Sequence, residues 1–182
     1  MWRRVLRRHS RALTCVVVLV TAALALGPLG SASAAGCKGQ YLKPNKSNLK
    51  PVERAIRCLL NRERSKRAMK ALRSHWALLK AATRHSRSMV RNRYFAHIGR
   101  DGSTPKARMK RAGYRGKAFA ENITYGTGGY ATPRSVVQRW MSDGGHRANV
   151  LGGAYDDVGI GLWLGNPEGR GGATFTMTVG GR

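Results

Sequence analysis

Val158-Gly159-Ile160-Gly161-Leu162-Trp163-Leu164, then Asn166-Pro167-Glu168-Gly169-Arg170-Gly171-Gly172, then Ala173-Thr174-Phe175-Thr176-Met177-Thr178-Val179: this run decides the fold. Its first part is rich in apolar and β-branched residues, its middle is turn chemistry, and its last part alternates. Such a pattern predicts a β-hairpin. Immediately upstream, Thr132-Pro133 supplies an N-cap followed by a proline in the first turn. It opens a helix carrying Val136, Val137, Trp140 and Met141 on one face, which Gly144-Gly145 is expected to end. A short turn of helix through Val150 should follow, and Phe119 to Tyr125 alternates as a further strand, with a Gly-rich loop to Tyr130.

The first half of the chain has the other period. From Pro51, the residues Val52, Ala55, Ile56, Leu59 and Leu60 form one helical stripe, with Arg54, Arg57, Arg62 and Arg64 falling largely off it. Ser74 is the expected N-cap of a second helix reaching about Arg93, with Leu78, Leu79, Ala82, Ser86, Met89 and Val90 as its stripe. His75 and His85 lie on that helix and read as surface or packing histidines. Thr104-Pro105 starts a short third helix that stops at Gly113. Helices first, then a strand, a helix and a hairpin, imply a small sheet covered by helices, an α+β domain.

Residues 1–34 stand apart from that domain. Five arginines precede an uncharged apolar run from Cys15 to Leu26, Gly27-Pro28 breaks it, and Ala32-Ser33-Ala34 has the small-x-small form of a cleavage site. This is the pattern of a secretory signal peptide, cut after Ala34 or Ala35. The apolar run is shorter than the ~20 residues a membrane-spanning helix needs. The paired arginines suit twin-arginine export as well as the general route. Residues 35–51 read as a basic tail and residues 52–182 as one domain. The mature chain of about 147 residues is long enough to bury roughly two thirds of its unfolded surface.

Cys15 leaves with the signal, so Cys37 and Cys58 remain. In an exported protein two cysteines read first as one disulfide, here tying the tail to the first helix with about 3 kcal/mol on the loop-entropy account. The other reading makes Cys37, after Ala34-Ala35-Gly36, the lipidated residue of a lipoprotein.

Charge is lopsided. Residues 38–117 hold 24 Lys and Arg against 3 acids, and residues 118–182 hold 5 of each. A net +21 on one half favours anionic partners through counterion release. No nucleic-acid module or aromatic stacking repeat accompanies it, so nucleic acid is not the expected partner. Outside a cell, an anionic wall polymer or lipid headgroups are.

Three distant segments each set one metal-competent side chain in a distinctive context: Phe95-Ala96-His97, Ala120-Glu121-Asn122-Ile123 and Gly145-His146-Arg147-Ala148-Asn149-Val150-Leu151. Two imidazoles and a carboxylate on one cleft would suit a divalent cation, zinc first. No two of them share a helical turn, so only the fold can gather them. No Ser-His-Asp pattern with a nucleophile elbow and no HExxH pair is present. Asn122 and Asn149 are expected to pin loops through side-chain bonds to backbone, and Arg147 to bridge to Asp156 or Asp157.

These motifs run in an order that resembles the CAP superfamily, the domain of cysteine-rich secretory proteins, antigen 5 and plant pathogenesis-related proteins, in its bacterial branch. The ordered pieces are Cys58 to Arg64, Ala82 to Met89, Phe95-Ala96-His97 before Asp101-Gly102, Arg108 with Ala112-Gly113-Tyr114, Glu121-Asn122-Ile123, Trp140-Met141, the 145–151 segment and Val158-Gly159-Ile160-Gly161. The resemblance implies a three-layer α-β-α sandwich around a small antiparallel sheet. It also implies a cleft where His97, Glu121 and His146 hold zinc or another divalent ion. Asp143, three residues after Trp140, matches a further acidic position of the family, one methylene shorter. Two functions follow as expectations: a secreted module that binds an anionic or lipidic ligand, or a metal-dependent hydrolase at the cell envelope with His97, Glu121 and His146 as its candidate catalytic groups.

Overall fold

The structure, a computed structural model, describes residues 36–182, and the leader read over residues 1–34 lies outside them. In chain order the elements are α1 Leu49–Ser65, β1 Arg73–Ser74, α2 Trp76–Arg91, α3 Pro105–Arg111, β2 Ala118–Gly126, a 3-10 turn Gly128–Ala131, α4 Pro133–Ser142, α5 Gly144–Val150, β3 Asp157–Leu164 and β4 Ala173–Gly181. The strands form one sheet in the order β1-β3-β4-β2. Its three long strands are antiparallel, with Leu162 opposite Phe175 and Glu121 opposite Thr178. The two-residue β1 adds to β3 in parallel, which makes the sheet mixed at that edge.

Period-two alternation gives the sheet two different faces. Val158, Ile160 and Leu162 of β3 and Phe175, Met177 and Val179 of β4 form the apolar one, buried against Ile56 and Leu60 of α1, Val136 and Trp140 of α4, and Val150 of α5. The opposite face consists of Gly159 and Gly161 with Thr174, Thr176 and Thr178, and α2 lies directly on it. A Cβ on Gly159 would stand 2.1 Å from the backbone of Leu78, and one on Gly161 2.1 Å from the backbone nitrogen of Thr83. With nothing between helix and strand, polar groups are satisfied across the contact. Thr178 Oγ1 donates to the Leu78 carbonyl at 3.0 Å, and Ser86 Oγ lies 2.8 Å from Thr176 Oγ1. The glycines are thus a packing device for a close helix-on-sheet layer.

Local chemistry explains most element ends. Thr104 and Thr132 cap α3 and α4 as their sequences predict, accepting from the backbone N–H groups of Ala107 and Ser135. Gly113 follows α3 with φ +104°, a left-handed position that favours glycine. Helix α1 begins at Leu49, two residues before Pro51, which is tolerated because a first-turn N–H has no helical partner anyway.

Three expectations are corrected. Helix α2 starts at Trp76: Ser74 is spent pairing with Val158, and His75 caps the helix, its Nδ1 accepting from Ala77 N–H at 3.2 Å. The break between α4 and α5 falls at Asp143, whose carboxylate accepts from His146 N–H at 2.8 Å, so Gly144-Gly145 open α5 and do not close α4. Arg64 does not fall off the buried stripe of α1. It is 1% exposed, and its guanidinium donates to the carbonyls of Lys70, Val150, Gly152 and Tyr155 at 2.8–3.2 Å. A cation that fastens the 150–155 segment needs burial, which hydrophobic patterning does not foresee.

Cys37 and Cys58 are bonded, with Cα atoms 5.7 Å apart, and the Cys37 sulfur is therefore committed and not available to a lipid. The tail is also held by Arg134 N–H donating to the Gln40 carbonyl at 2.9 Å.

Asp157 takes hydrogen bonds from Tyr114 Oη at 3.1 Å and Arg73 at 3.3 Å, which are the partners it has in place of the expected Arg147. Burial, and then the charge of Asp157, push the Tyr114 phenol up to about 12. A neutral phenol is the form the fold stabilises. This contribution is intact below the ordinary value of about 10 and is lost as pH rises from there through about 12. Ultraviolet titration should show a phenolate forming only near the top of that window, and Tyr114→Phe should remove the late step. An unchanged profile in the variant would count against this environment.

Candidate functional site

Glu121 sits on the α2 face of β2, opposite Thr178, and the alternation sends its neighbour Asn122 to the other face. Around the buried Glu121 carboxylate three elements converge. Arg108 of α3 donates to both oxygens, at 3.0 and 2.8 Å. His97, in the loop after α2, places Nδ1 2.9 Å from Oε1. His85 of α2 places Nε2 3.7 Å from Oε1 and 3.0 Å from the Ala96 carbonyl.

These contacts assign the protons. A carboxylate only accepts, so His97 Nδ1 carries hydrogen, and in the neutral ring Nε2 is the acceptor. A carbonyl only accepts, so His85 carries its hydrogen on Nε2. Burial, then the nearby positive Arg108, hold His85 below its ordinary value despite the attraction of Glu121. Arg108 is further fastened by donating to the Ser103 carbonyl at 2.6 Å. The result is a buried Arg-carboxylate pair that orients one half-exposed imidazole.

That imidazole borders an open cleft of about 540 Å³ whose walls include Glu121, Asn149, Lys106, Lys117 and Phe119. Of the four residues singled out from the sequence, His97 and Glu121 meet directly. His146 is on α5, where its backbone carbonyl accepts from Asn122 Nδ2 at 2.9 Å and its ring lies 3.3 Å from Asp143. Asp143 is exposed and serves as the cap of α5. Asn149 Nδ2 donates to Asn122 Oδ1 at 2.8 Å and to the Glu121 carbonyl at 3.3 Å, so both asparagines pin this junction as their type suggests.

A divalent cation at His97, Glu121 and His146 needs three open donor atoms aimed at one point. In this arrangement both Glu121 oxygens are engaged by a guanidinium and are not open donors, whereas His97, whose Nδ1 bonds that carboxylate, keeps its other ring nitrogen. Among the described residues no group of three or more His, Cys, Asp or Glu is gathered so as to hold a metal ion. Chemically, the site can orient an imidazole at the border of the cleft.

Sequence reasoning missed two members. Arg108 stands among the ordered motif residues but had no role assigned to it, and His85, read as a surface or packing histidine, is 1% exposed and lies beside the carboxylate. The one signal that bore on His85 was its position: at 85 it directly precedes Ser86 of the buried stripe.

A sequence model described as the cysteine-rich secretory protein family, CAP, matches residues 59–178. Among curated proteins, the chain is 34% identical over 115 residues to the uncharacterized protein YkwD of Bacillus subtilis, covering 63% of this chain and 44% of that one. It is 26% identical over 132 residues to the uncharacterized membrane protein YlbC of the same organism, covering 69% and 37%. The matches thus span less than half the length of these two relatives. In structure it resembles an extracellular protein containing a SCP domain from Bacillus anthracis, with TM-score 0.65 and 22% identity over 76% of this chain and 44% of that one. It also resembles an outer surface protein from Borrelia burgdorferi, with TM-score 0.64 and 19% identity over 78% and 98%.

Proposed function

This chain belongs to the cysteine-rich secretory protein, or CAP, family, and from that premise we propose that it is an extracellular binding module whose α2 face engages an anionic polymer of the cell envelope. One observation carries the reading. Lys80, Arg84, Arg87 and Arg91 follow at helical spacing along the exposed side of α2, and none of them pairs with a carboxylate among the described residues. Two tryptophans support the stripe: Lys80 lies over the Trp76 ring at 5.7 Å, and Arg87 and Arg91 over Trp163 at 5.2 and 5.8 Å. A row of cations lying against aromatic rings matches a polymer with regularly spaced negative charge. The leader read over residues 1–34 supports a place outside the cell, and no helix among the described residues is long and apolar enough to cross a membrane. The hydrolase reading has less support, since the carboxylate it would need is held by Arg108.

Retention on purified anionic wall polymer should fall about 100-fold over a fourfold rise in salt, the counterion-release slope for four neutralised anions. A variant combining Lys80→Gln, Arg87→Gln and Arg91→Gln should lose most of it. Retention that ignores salt, or that follows anionic vesicles and not the polymer, would overturn the assignment.

A further inference from the structure

Behind the Arg108–Glu121 pair, between α2, α3 and the loop before α3, lies a second cavity of about 350 Å³. That volume holds a small ligand. His85 and Arg108 form part of its wall, and each has one buried polar atom without a protein partner: His85 Nδ1 and Arg108 Nε. Because His85 Nε2 donates to the Ala96 carbonyl, Nδ1 is a bare acceptor in the neutral ring. Arg108 Nε is a bare donor. A ligand group that accepts one hydrogen bond and donates another would meet both atoms, each of which costs about 1–3 kcal/mol if left unmet.

Its charge narrows the class. Arg84, Arg100 and Arg111 join Arg108 around the cavity, against the single acid Asp101. Asp101 is engaged by Arg111 at 3.3 Å and by Ser103, so it neutralises little. Arg84 and Arg100 have no carboxylate partner among the described residues, and Arg100 rests on the Tyr94 ring at 5.3 Å. Guanidinium forks around a pocket fit tetrahedral oxyanions.

We propose that this cavity binds a phosphate group whose ligand also carries an O–H, either hydrogen phosphate itself or a polyol phosphomonoester. The guanidiniums and Arg108 Nε take the anionic oxygens, and the O–H satisfies His85 Nδ1. Sulfate has the same shape and a similar charge, but no hydrogen to give at neutral pH, so it leaves that acceptor unmet.

The test is calorimetric titration of the protein expressed from its full chain with inorganic phosphate, glycerol 3-phosphate and sulfate at matched ionic strength. Phosphate or its monoester should bind roughly tenfold tighter than sulfate, and the preference between the first two reads whether the ligand is the free ion or an ester. The His85 Nδ1 nuclear resonance should move with phosphate and stay with sulfate. Arg100→Gln with Arg111→Gln, neither of them on the α2 stripe, should weaken phosphate binding by about fivefold or more. Equal affinity for sulfate, no binding of either anion, or phosphate binding untouched by the double variant would each overturn the proposal. None of these outcomes bears on polymer retention, which the α2 variant reads separately.

Discussion

Replacing Gly161 by valine should cost about 4 kcal/mol or more and leave little folded protein at ordinary temperature. The added Cβ would meet the backbone nitrogen of Thr83 at 2.1 Å and the Ala82 carbonyl carbon at 2.2 Å. Backbone cannot rotate aside as a flexible side chain can, so α2 would have to lift off the sheet. Lifting it would also break the Ser86 and Thr178 bonds that span the contact. Gly159→Ala should behave alike, because Leu78 and Leu79 backbone atoms stand 2.1 Å from its added carbon. Gly144→Ala is the contrast. There the new carbon meets nothing within 4 Å, and a helical residue gains from losing glycine's freedom, by about 0.5 kcal/mol. Urea unfolding of the three variants checks the ranking, and a Gly161→Val protein as stable as Gly144→Ala would refute the close-packed layer.

Arg108→Met should destabilise the fold by about 3–5 kcal/mol, the cost of leaving a buried carboxylate without its cation. Glu121 keeps His97 and the neutral His85 as neighbours, and neither replaces a permanently charged guanidinium nitrogen that donates to both oxygens. Arg108→Lys should recover only part of the loss, since a single ammonium cannot hold the carboxylate and also the Ser103 carbonyl that Arg108 Nη1 holds at 2.6 Å. Combining Arg108→Met with Glu121→Leu removes both charges and should regain most of it. Equilibrium unfolding across this cycle measures the coupling. Additive losses would mean that the pair is not a pair. The same variants bear on His97, because without the ordered carboxylate nothing fixes hydrogen on its Nδ1.

The hairpin over 158–179 is legible residue by residue, because alternation is a local property and each side chain declares its face. The Thr-Pro helix starts are legible for the same reason, a hydroxyl next to the N–H groups it caps. Boundaries set by competition are not. Ser74 is as good a cap as His75 in isolation, and only the pairing of β1 with β3 takes Ser74 away. Likewise Gly144-Gly145 reads as a stop, until Asp143 turns out to cap the helix that those glycines begin.

What the residue string determines by itself is therefore the α+β class, the hairpin, the order of the helices, and the basic half on which the α2 stripe lies. The family order of the motifs also picked out His97 and Glu121 as neighbours across 24 positions. Only the tertiary structure decided what surrounds that carboxylate. Register places Glu121 on the α2 face and Asn122 on the α5 face, and this one-residue alternation gives the carboxylate to Arg108 and His85 and leaves His146 beside Asp143. Which cation a buried acid takes depends on desolvation and on distances between elements far apart in the chain, and neither is a property of any local stretch of sequence.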